Sequence, residues 1–353
     1  MATALQAFAV DFFPLVPLRA IIGASQAFNN PAAYTIIAEI FPKRMVGTIN
    51  GVFSSGIYLG GGLASLSIIL DGYVGWRQTL LIVGGVGLVA AVACLFLIEE
   101  PRALPEAVAQ RQAADAAEGQ GVVKATFNPQ DTVAALREVL VSKDAQLILL
   151  AAALRFCAGF SIAIWKAPFV FAKFPGSESA FAGSNAAVVA AGGFLSSLIG
   201  GYISDRLANP ADPTARPRAR MWVPAVGSLL AAPLWAAFVA ADEPSTAVLC
   251  LLGEYLVAEC WFGPALASLF QAVPANRRGT AQGLFSVLNL AGNVATVLVG
   301  ALAGGQLANF ALGDVLVAVV SGAYVLSGVI FTILALRDDA RIADERAAAA
   351  KSS

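Results

Sequence analysis

The sequence predicts an all-α polytopic membrane protein, and three observations carry that prediction. Of 353 residues, 58% are hydrophobic and only 13% are charged, with a mean hydropathy of +0.75; a soluble chain carries about 25% charged residues. Several apolar runs reach the roughly 20 residues needed to cross a hydrocarbon core about 30 Å thick. One corner between such runs also occurs twice, as PKRMVGTINGVF over 42–53 and PANRRGTAQGLF over 274–285. Pro42, Gly47, Thr48, Gly51 and Phe53 fall on Pro274, Gly279, Thr280, Gly283 and Phe285 at a constant offset of 232 residues, and Gly60 and Gly292 keep the register. A basic helix-to-helix corner repeated in this way points to two related halves.

The elements follow in order from the hydropathy. Apolar segments are expected at 2–16, 18–40, 46–70, 78–98, 146–171, 183–203, 221–241, 246–272, 280–305 and 313–336. All but the first are long enough to span. The first carries Asp11, is broken by Pro14 and Pro17, and reads as the tail of a span that begins before residue 1. Positive charge at helix ends then sets orientation. Lys43/Arg44, Arg206 with Arg216, Arg218 and Arg220, Arg277/Arg278, and Arg341, Arg346 and Lys351 mark alternate connections. The intervening ones, near Asp71–Arg77, Lys173–Glu178, Asp242/Glu243 and Asp314, are poor in positive charge. The basic set and the C-terminus are therefore expected on the cytoplasmic side.

The long polar connection, 99–145, starts rich in Ala, Gln and Glu, a composition of disorder. From Asp131, the spacing of Val133, Leu136, Val139 and Leu140 is helical. An amphipathic helix on the membrane surface and a solvated linker helix fit that spacing equally. The expected organisation is a partial N-terminal bundle over 1–98, this linker, a six-helix bundle over 146–337 and a cytoplasmic tail over 338–353.

Composition also excludes chemistry. The net charge of −1 offers nothing to nucleic acid, and the lack of histidine removes imidazole metal sites, Ser-His and Cys-His catalysis and a His relay. Cys94, Cys157, Cys250 and Cys260 lie singly inside apolar runs, as small hydrophobes rather than a disulfide frame or metal motif. No basic n-region with a cleavage site follows Met1, and no Walker A pattern supports ATP drive. With no nucleophile–base or metal constellation, the sequence reads as a non-enzyme without cofactor. Its partners are the bilayer and a small solute.

At this point the residues resemble the major facilitator superfamily. Leu18-Arg19 through Gly23 and Gln26-Ala27 are similar to that family's fourth-helix pattern of Arg followed four residues later by Gly. Gly201-Tyr202-Ile203-Ser204-Asp205-Arg206 resembles the second-half copy of its Gly-x-x-x-Asp-Arg loop, and Gly75-Trp76-Arg77 fits the end of its fifth helix, notably in the organic-anion and spinster-like branches. The resemblance covers 2–337 and implies a two-bundle transporter working by alternating access. Against the family's twelve helices the chain begins late in the third, so about two and a half N-terminal helices are expected to be missing, as in a fragment. The antiporter Gly-Pro pair is absent from Gly56 to Gly62, which removes support for antiport.

A charge inside the bilayer needs a partner or a wet cavity. Asp11, Arg19, Arg155, Lys166, Glu254 and Glu259 are the charges within apolar runs. Arg155 and Lys166 lie about three turns apart on one helix, and the resemblance puts that helix and the Glu254/Glu259 helix on the cavity as helices 7 and 10. The expectation is an ion pair of Lys166 or Arg155 with Glu259, broken by substrate or proton; a permanent structural pair is the alternative. Arg19 either meets an anionic group, with Asp11 as local partner, or snorkels to the interface. The resemblance assigns Gly201, Asp205 and Arg206 to closure of the cytoplasmic side, with Arg277 and Arg278 at the corresponding corner; helix capping and positive-inside topology are the alternative.

Asn29/Asn30-Pro31 and Gly263-Pro264 mark near-equivalent kinks at which Asn30 and Trp261 can line the site. The pairs Gly47/Gly51, Gly56/Gly60 and Gly279/Gly283 read as helix-packing contacts. The cations give a weak lean to a small organic anion or amphiphilic phosphate. Proton coupling through Glu254 or Glu259 and facilitated diffusion fit equally. The competing class is a non-transporting receptor or scaffold, or an incomplete gene product, derived from such a fold.

Overall fold

The computed structural model describes residues 1–40, 46–97, 129–208, 219–274, 277–304 and 310–352, without the side chains of 27–32, 34–40, 46–52, 54, 129–132 and 338–352. The described residues are helical, with no strand. Eight of their helices are long and apolar enough to cross a membrane. The chain divides into two compact units, Met1–Ser54 with Leu66–Phe127, and Ser55–Ser65 with Asn128–Ser353.

In the first unit, α1 (Ala2–Leu5) and a 3-10 turn (Gln6–Phe8) precede α2 (Phe12–Ile40). The break falls at Ala9–Asp11 rather than at the prolines. Pro14 sits in the first turn of α2, where an N–H has no helical partner to lose, and Pro17 follows one turn on. The helix α3 (Val46–Val74) ends at Gly75, whose φ of +82° closes the helix in the left-handed region that glycine enters without strain. Trp76 then opens α4 (Trp76–Leu97), with Arg77 lying 4.2 Å over the Trp76 ring and donating to the Ala9 carbonyl at 3.3 Å. A Cβ at Gly84 would stand 2.7 Å from Ala4, so α1 and α4 meet there almost backbone to backbone.

The second unit holds α5 (Pro129–Val141), α6 (Lys143–Lys173), α7 (Glu178–Ala187), a π turn (Val188–Gly193) and α8 (Phe194–Leu207). After it come a 3-10 turn (Ala219–Met221), α9 (Trp222–Ala240), α10 (Pro244–Ala258), α11 (Phe262–Ala272), α12 (Arg278–Val287) and α13 (Asn289–Ala303). The chain finishes with α14 (Leu312–Leu316), a second π turn (Val317–Ser321) and α15 (Gly322–Ser352), so helix continues through the expected tail. The Ser142 hydroxyl caps α6 by accepting from Ala145 N at 3.3 Å.

Two apolar clusters hold this unit. Trp235, Phe238, Leu251 and Tyr324 anchor one; Met221, Trp261, Phe285 and Phe331 anchor the other. The linker helix joins the second through Val139, with Ala135 also buried, while Val133, Leu140 and Val141 stay exposed. Of the expected apolar stripe, Val139 thus faces protein, while Val133 and Leu140 do not.

The glycine pairs correct an expectation. Around Gly56, Gly60, Gly279 and Gly283 an added Cβ would meet nothing within 4 Å, while Gly47 and Gly51 have no described side-chain environment. Close approach occurs elsewhere. A Cβ on Gly292 would lie 1.9 Å from the Phe160 ring and 2.7 Å from the Phe156 carbonyl oxygen, which is where α13 meets α6. Four-residue spacing makes a smooth helix face, but the neighbouring helix decides which face is used.

Candidate functional site

The long, capped α6 carries Arg155 and Lys166 into the second unit, 2% and 5% exposed. Opposite them the apolar run over 246–272 does not form one helix. It breaks between α10 and α11, just before Gly263-Pro264. The break frees the Ala258 carbonyl from helical pairing, and Arg155 Nη2 donates to it at 2.8 Å. The same guanidinium lies 4.4 Å from the Tyr324 ring centroid and 5.4 Å from that of Trp261. A charge at the bilayer centre costs about 3 kcal/mol on insertion scales. A charge-assisted hydrogen bond offsets about 1.5–3 kcal/mol, and each ring face about 0.5–2 kcal/mol. These terms sustain a buried arginine without an adjoining carboxylate. Nε and Nη1 of Arg155 have no hydrogen-bond partner among the described residues.

Tyrosines complete the cluster. Lys166 Nζ donates to the Tyr255 hydroxyl at 2.8 Å. The Tyr324 hydroxyl donates to Glu254 Oε1, leaving Oε2 of this fully buried carboxyl without a partner among the described residues. Glu259, half-buried, accepts at 3.1 Å from the hydroxyl of Tyr58, which lies in the Ser55–Ser65 stretch of α3 that belongs to this second unit. Two adjacent glycines of the π turn abut these tyrosines. A Cβ on Gly192 would lie 3.1 Å from Tyr255 Cβ, and one on Gly193 would lie 2.3 Å from the Tyr58 ring.

The expected direct pair of Lys166 or Arg155 with Glu259 is therefore not what the geometry shows. Among the described residues, neither cation has a carboxylate oxygen within 4.0 Å; the charges act on Lys166 from farther off. Glu254 and Glu259 are five residues apart, about 140° around a helix, so they cannot share a face. Glu259 moreover ends α10. The helix break thus turns Glu259 towards Tyr58, while Glu254 stays beside Tyr324. The tyrosines carry no mark in the sequence, where each reads as one more large apolar residue. Their spacing to the charges, Tyr255 directly after Glu254, is the available signal. Equally unmarked is the buried Asn185, whose Nδ2 donates to Ser65 Oγ at 2.7 Å.

The remaining candidates are dispersed. Trp261 is buried in an aromatic group with Phe156 (5.3 Å), Phe262 (5.6 Å) and Phe285 (6.1 Å). Arg19 and Asp11 are exposed in the first unit, with no ion pair between them. Asn30 lies on α2, which runs on through Pro31, but its side chain lies outside the described residues. Gly201 is half-buried with open space at its Cβ position, whereas a Cβ on neighbouring Gly200 would lie 2.2 Å from Cys260. Asp205 is exposed and its charge acts on Arg220; Arg206 stacks 4.7 Å over the Tyr202 ring.

Arg277 clasps Glu138 of α5 through Nε (2.7 Å) and Nη2 (3.0 Å), and these hydrogen bonds hold the Glu138 carboxyl below the usual glutamate range. Arg278 donates to the Phe270 carbonyl at 3.1 Å. The described residues hold no group of three or more His, Cys, Asp or Glu that could bind a metal ion.

A buried, charge-balanced cluster beside a broken membrane-length helix suits movement of a solute across a membrane, and comparison with known proteins agrees. A family model described as Major Facilitator Superfamily matches residues 1–297. An MFS-type efflux pump of Mycolicibacterium smegmatis is 25% identical over 337 residues, covering 92% of this chain and 72% of that protein. Sugar transport protein 13 of Arabidopsis thaliana is 27% identical over 232 residues (59% of this chain, 43% of that protein). A D-galactonate transporter of Escherichia coli is 25% identical over 149 residues (42% and 34%). The chain thus spans less than half the length of the last two. The inward-facing, unoccupied structure of a bacterial homolog to the human lysosomal transporter Spinster superposes with a TM-score of 0.62 at 21% identity. That match covers 96% of this chain and 79% of that one and shows a shared fold. The chain belongs to the Major Facilitator Superfamily.

Proposed function

We propose that the protein is a secondary or facilitative transporter that moves a small organic anion or amphiphilic phosphate by alternating access. Arg155, Lys166, Glu254 and Glu259 form its binding and coupling centre. One observation carries this reading: the buried guanidinium of Arg155 is held by a carbonyl and two ring faces rather than by a carboxylate, with two of its nitrogens, Nε and Nη1, free of partners among the described residues. A permanent structural pair would use those donors. They are buried in this conformation. In this reading, once alternating access opens the site, they pair with an anionic group, for which a guanidinium is the fitting planar donor. Glu254, joined to Tyr324 on one oxygen only, is the candidate proton or counter-ion site.

In this reading the C-terminus and the 99–145 connection are cytoplasmic. Gly201, Asp205 and Arg206, with the Arg277–Glu138 clasp and Arg278, close that side in one conformation. Supporting this, Asp205 and Arg277 each act on a charge of another segment. The test is counterflow of radiolabelled organic anions into proteoliposomes with wild-type protein and Arg155→Gln. Transport of an anion by the wild type, lost in the variant while the variant stays folded, is expected. Equal transport by both overturns the assignment of Arg155.

A further inference from the structure

The linker helix α5 is tied to the bundle by only half of its apolar surface. At about 100° per residue, Ala135, Val139, Leu136, Leu140 and Val133 follow one another around the helix in a continuous arc of about 160°. Arg137 borders the arc, and Ala134, Glu138 and Asp131 fall by register on the remaining side. The bundle covers Ala135 and Val139, which are 4% and 0% exposed. It leaves Leu136 half-buried, and Leu140 and Val133 are 44% and 65% exposed. Single apolar side chains on a surface need no explanation. Three that extend a docked stripe without a gap point to a second apolar neighbour beside the first.

The level of α5 says what that neighbour is. Ser142 interrupts the helix in an extended conformation and caps α6, which starts at Lys143 and is long and apolar enough to cross a membrane. Val139 packs in one cluster with Ala145, Ile148 and Leu149 of the first two turns of α6. The same cluster holds Ala281 and Phe285 of α12, which opens a second membrane-length helix at Arg278. So α5 lies beside the ends of two spans, at the depth where hydrocarbon meets headgroups. The exposed Leu150, about two turns into α6, carries the apolar surface on into the bilayer.

Charge at this corner is one-sided. Arg277 clasps Glu138 on the polar side of α5, and Arg337 holds Asp144 at 3.3 Å. Arg137 and Lys143 are exposed, and neither has a carboxylate oxygen within 4.0 Å among the described residues. Two carboxylates are thus compensated while two cations remain, one at the edge of the apolar arc and one at the head of α6. An arginine at such an edge can lay its stem along apolar surface and keep its charge among headgroups.

We propose that α5 is an interfacial helix: it seats Leu136, Leu140 and Val133 in one leaflet of the bilayer and binds acidic phospholipid headgroups through Arg137 and Lys143. Protein then covers one half of the arc and lipid the other. Because Glu138 on the polar side clasps Arg277, the charge of the leaflet also bears on how firmly that corner is held.

Two measurements on the full chain in nanodiscs test this. A nitroxide at Leu140→Cys, with Cys94, Cys157, Cys250 and Cys260 replaced by alanine, should collide more with oxygen than with a water-soluble nickel chelate. One at Ala134→Cys should do the reverse. A water-like response at Leu140→Cys leaves a solvated linker helix and overturns the proposal. So does shielding from both reagents, which would mean that protein covers this face. Hydrogen exchange of the α5 amides reads the charge requirement. Adding phosphatidylglycerol to phosphatidylcholine discs should slow it about fivefold or more, the effect of a cation near an acidic surface. Arg137→Gln/Lys143→Gln should lose that slowing while exchanging as the wild type does in phosphatidylcholine alone, and Arg137→Lys should keep it. Equal exchange of the wild type in both lipid compositions, or full slowing in the glutamine variant, overturns the binding of acidic lipid.

Discussion

Arg155 shows how much of a residue's role its own position carries and how much its partners add. A charge inside an apolar run is conspicuous, so Arg155, Lys166 and Glu254 are legible in the sequence as buried functional candidates, and all three are buried. Their partners are not legible there, because a tyrosine hydroxyl is a polar atom on a large apolar body and leaves no mark in hydropathy. The pairing can be measured directly. Double-mutant cycles on thermal stability in detergent should give a coupling of about 1–3 kcal/mol for Lys166→Met with Tyr255→Phe, the size of a hydrogen bond to a charged group. Lys166→Met with Glu259→Gln should couple by less than about 1 kcal/mol, as expected for charges not in contact. The reverse order would restore the direct ion pair.

Helix positions are readable because apolar length is a local property, whereas helix contacts depend on which face a neighbour occupies. Gly292 and Gly283 make that difference testable. Gly292→Ala forces a methyl against Phe160 and the fixed Phe156 carbonyl, and overpacking of this kind costs about 1–3 kcal/mol. Gly283→Ala enters open space and should be neutral or stabilising by up to about 1 kcal/mol through helix propensity. Melting temperatures of the two variants should therefore move in opposite directions, or only the first should move.

The linker helix α5 supplies a second prediction at this scale. Arg277 lowers the Glu138 carboxyl below its ordinary range, so the clasp is complete above the ordinary glutamate pKa and is lost as pH falls through the lowered value. Hydrogen exchange of the α5 amides should show protection unchanged from neutral pH to mild acid and lost below the usual glutamate range. Glu138→Gln, taken as the reference at each pH, should lack that acid step. An acid step of the same size in Glu138→Gln would mean that another group controls the docking of α5. The hydropathy pattern indicates an amphipathic helix here, but its docking stripe, Ala135 and Val139, is fixed by the α6 and α12 surfaces it meets.

At the scale of the molecule, the repeated corner, the Gly-x-x-x-Asp-Arg loop and the run of apolar spans make the family legible in the sequence alone, because duplication and hydropathy are written directly in residue order. The organisation of the proposed binding centre is not, since it depends on the break between α10 and α11 and on the carbonyl that break exposes. The central claim is that a solute anion is held by donors of Arg155 that no carboxylate occupies. Counterflow of radiolabelled anions into proteoliposomes tests it most directly, comparing wild type with Arg155→Gln and with Glu254→Gln. Anion exchange in the wild type, lost with Arg155→Gln and altered in its pH dependence with Glu254→Gln, is the predicted result. Wild-type exchange rates in a folded Arg155→Gln would contradict it.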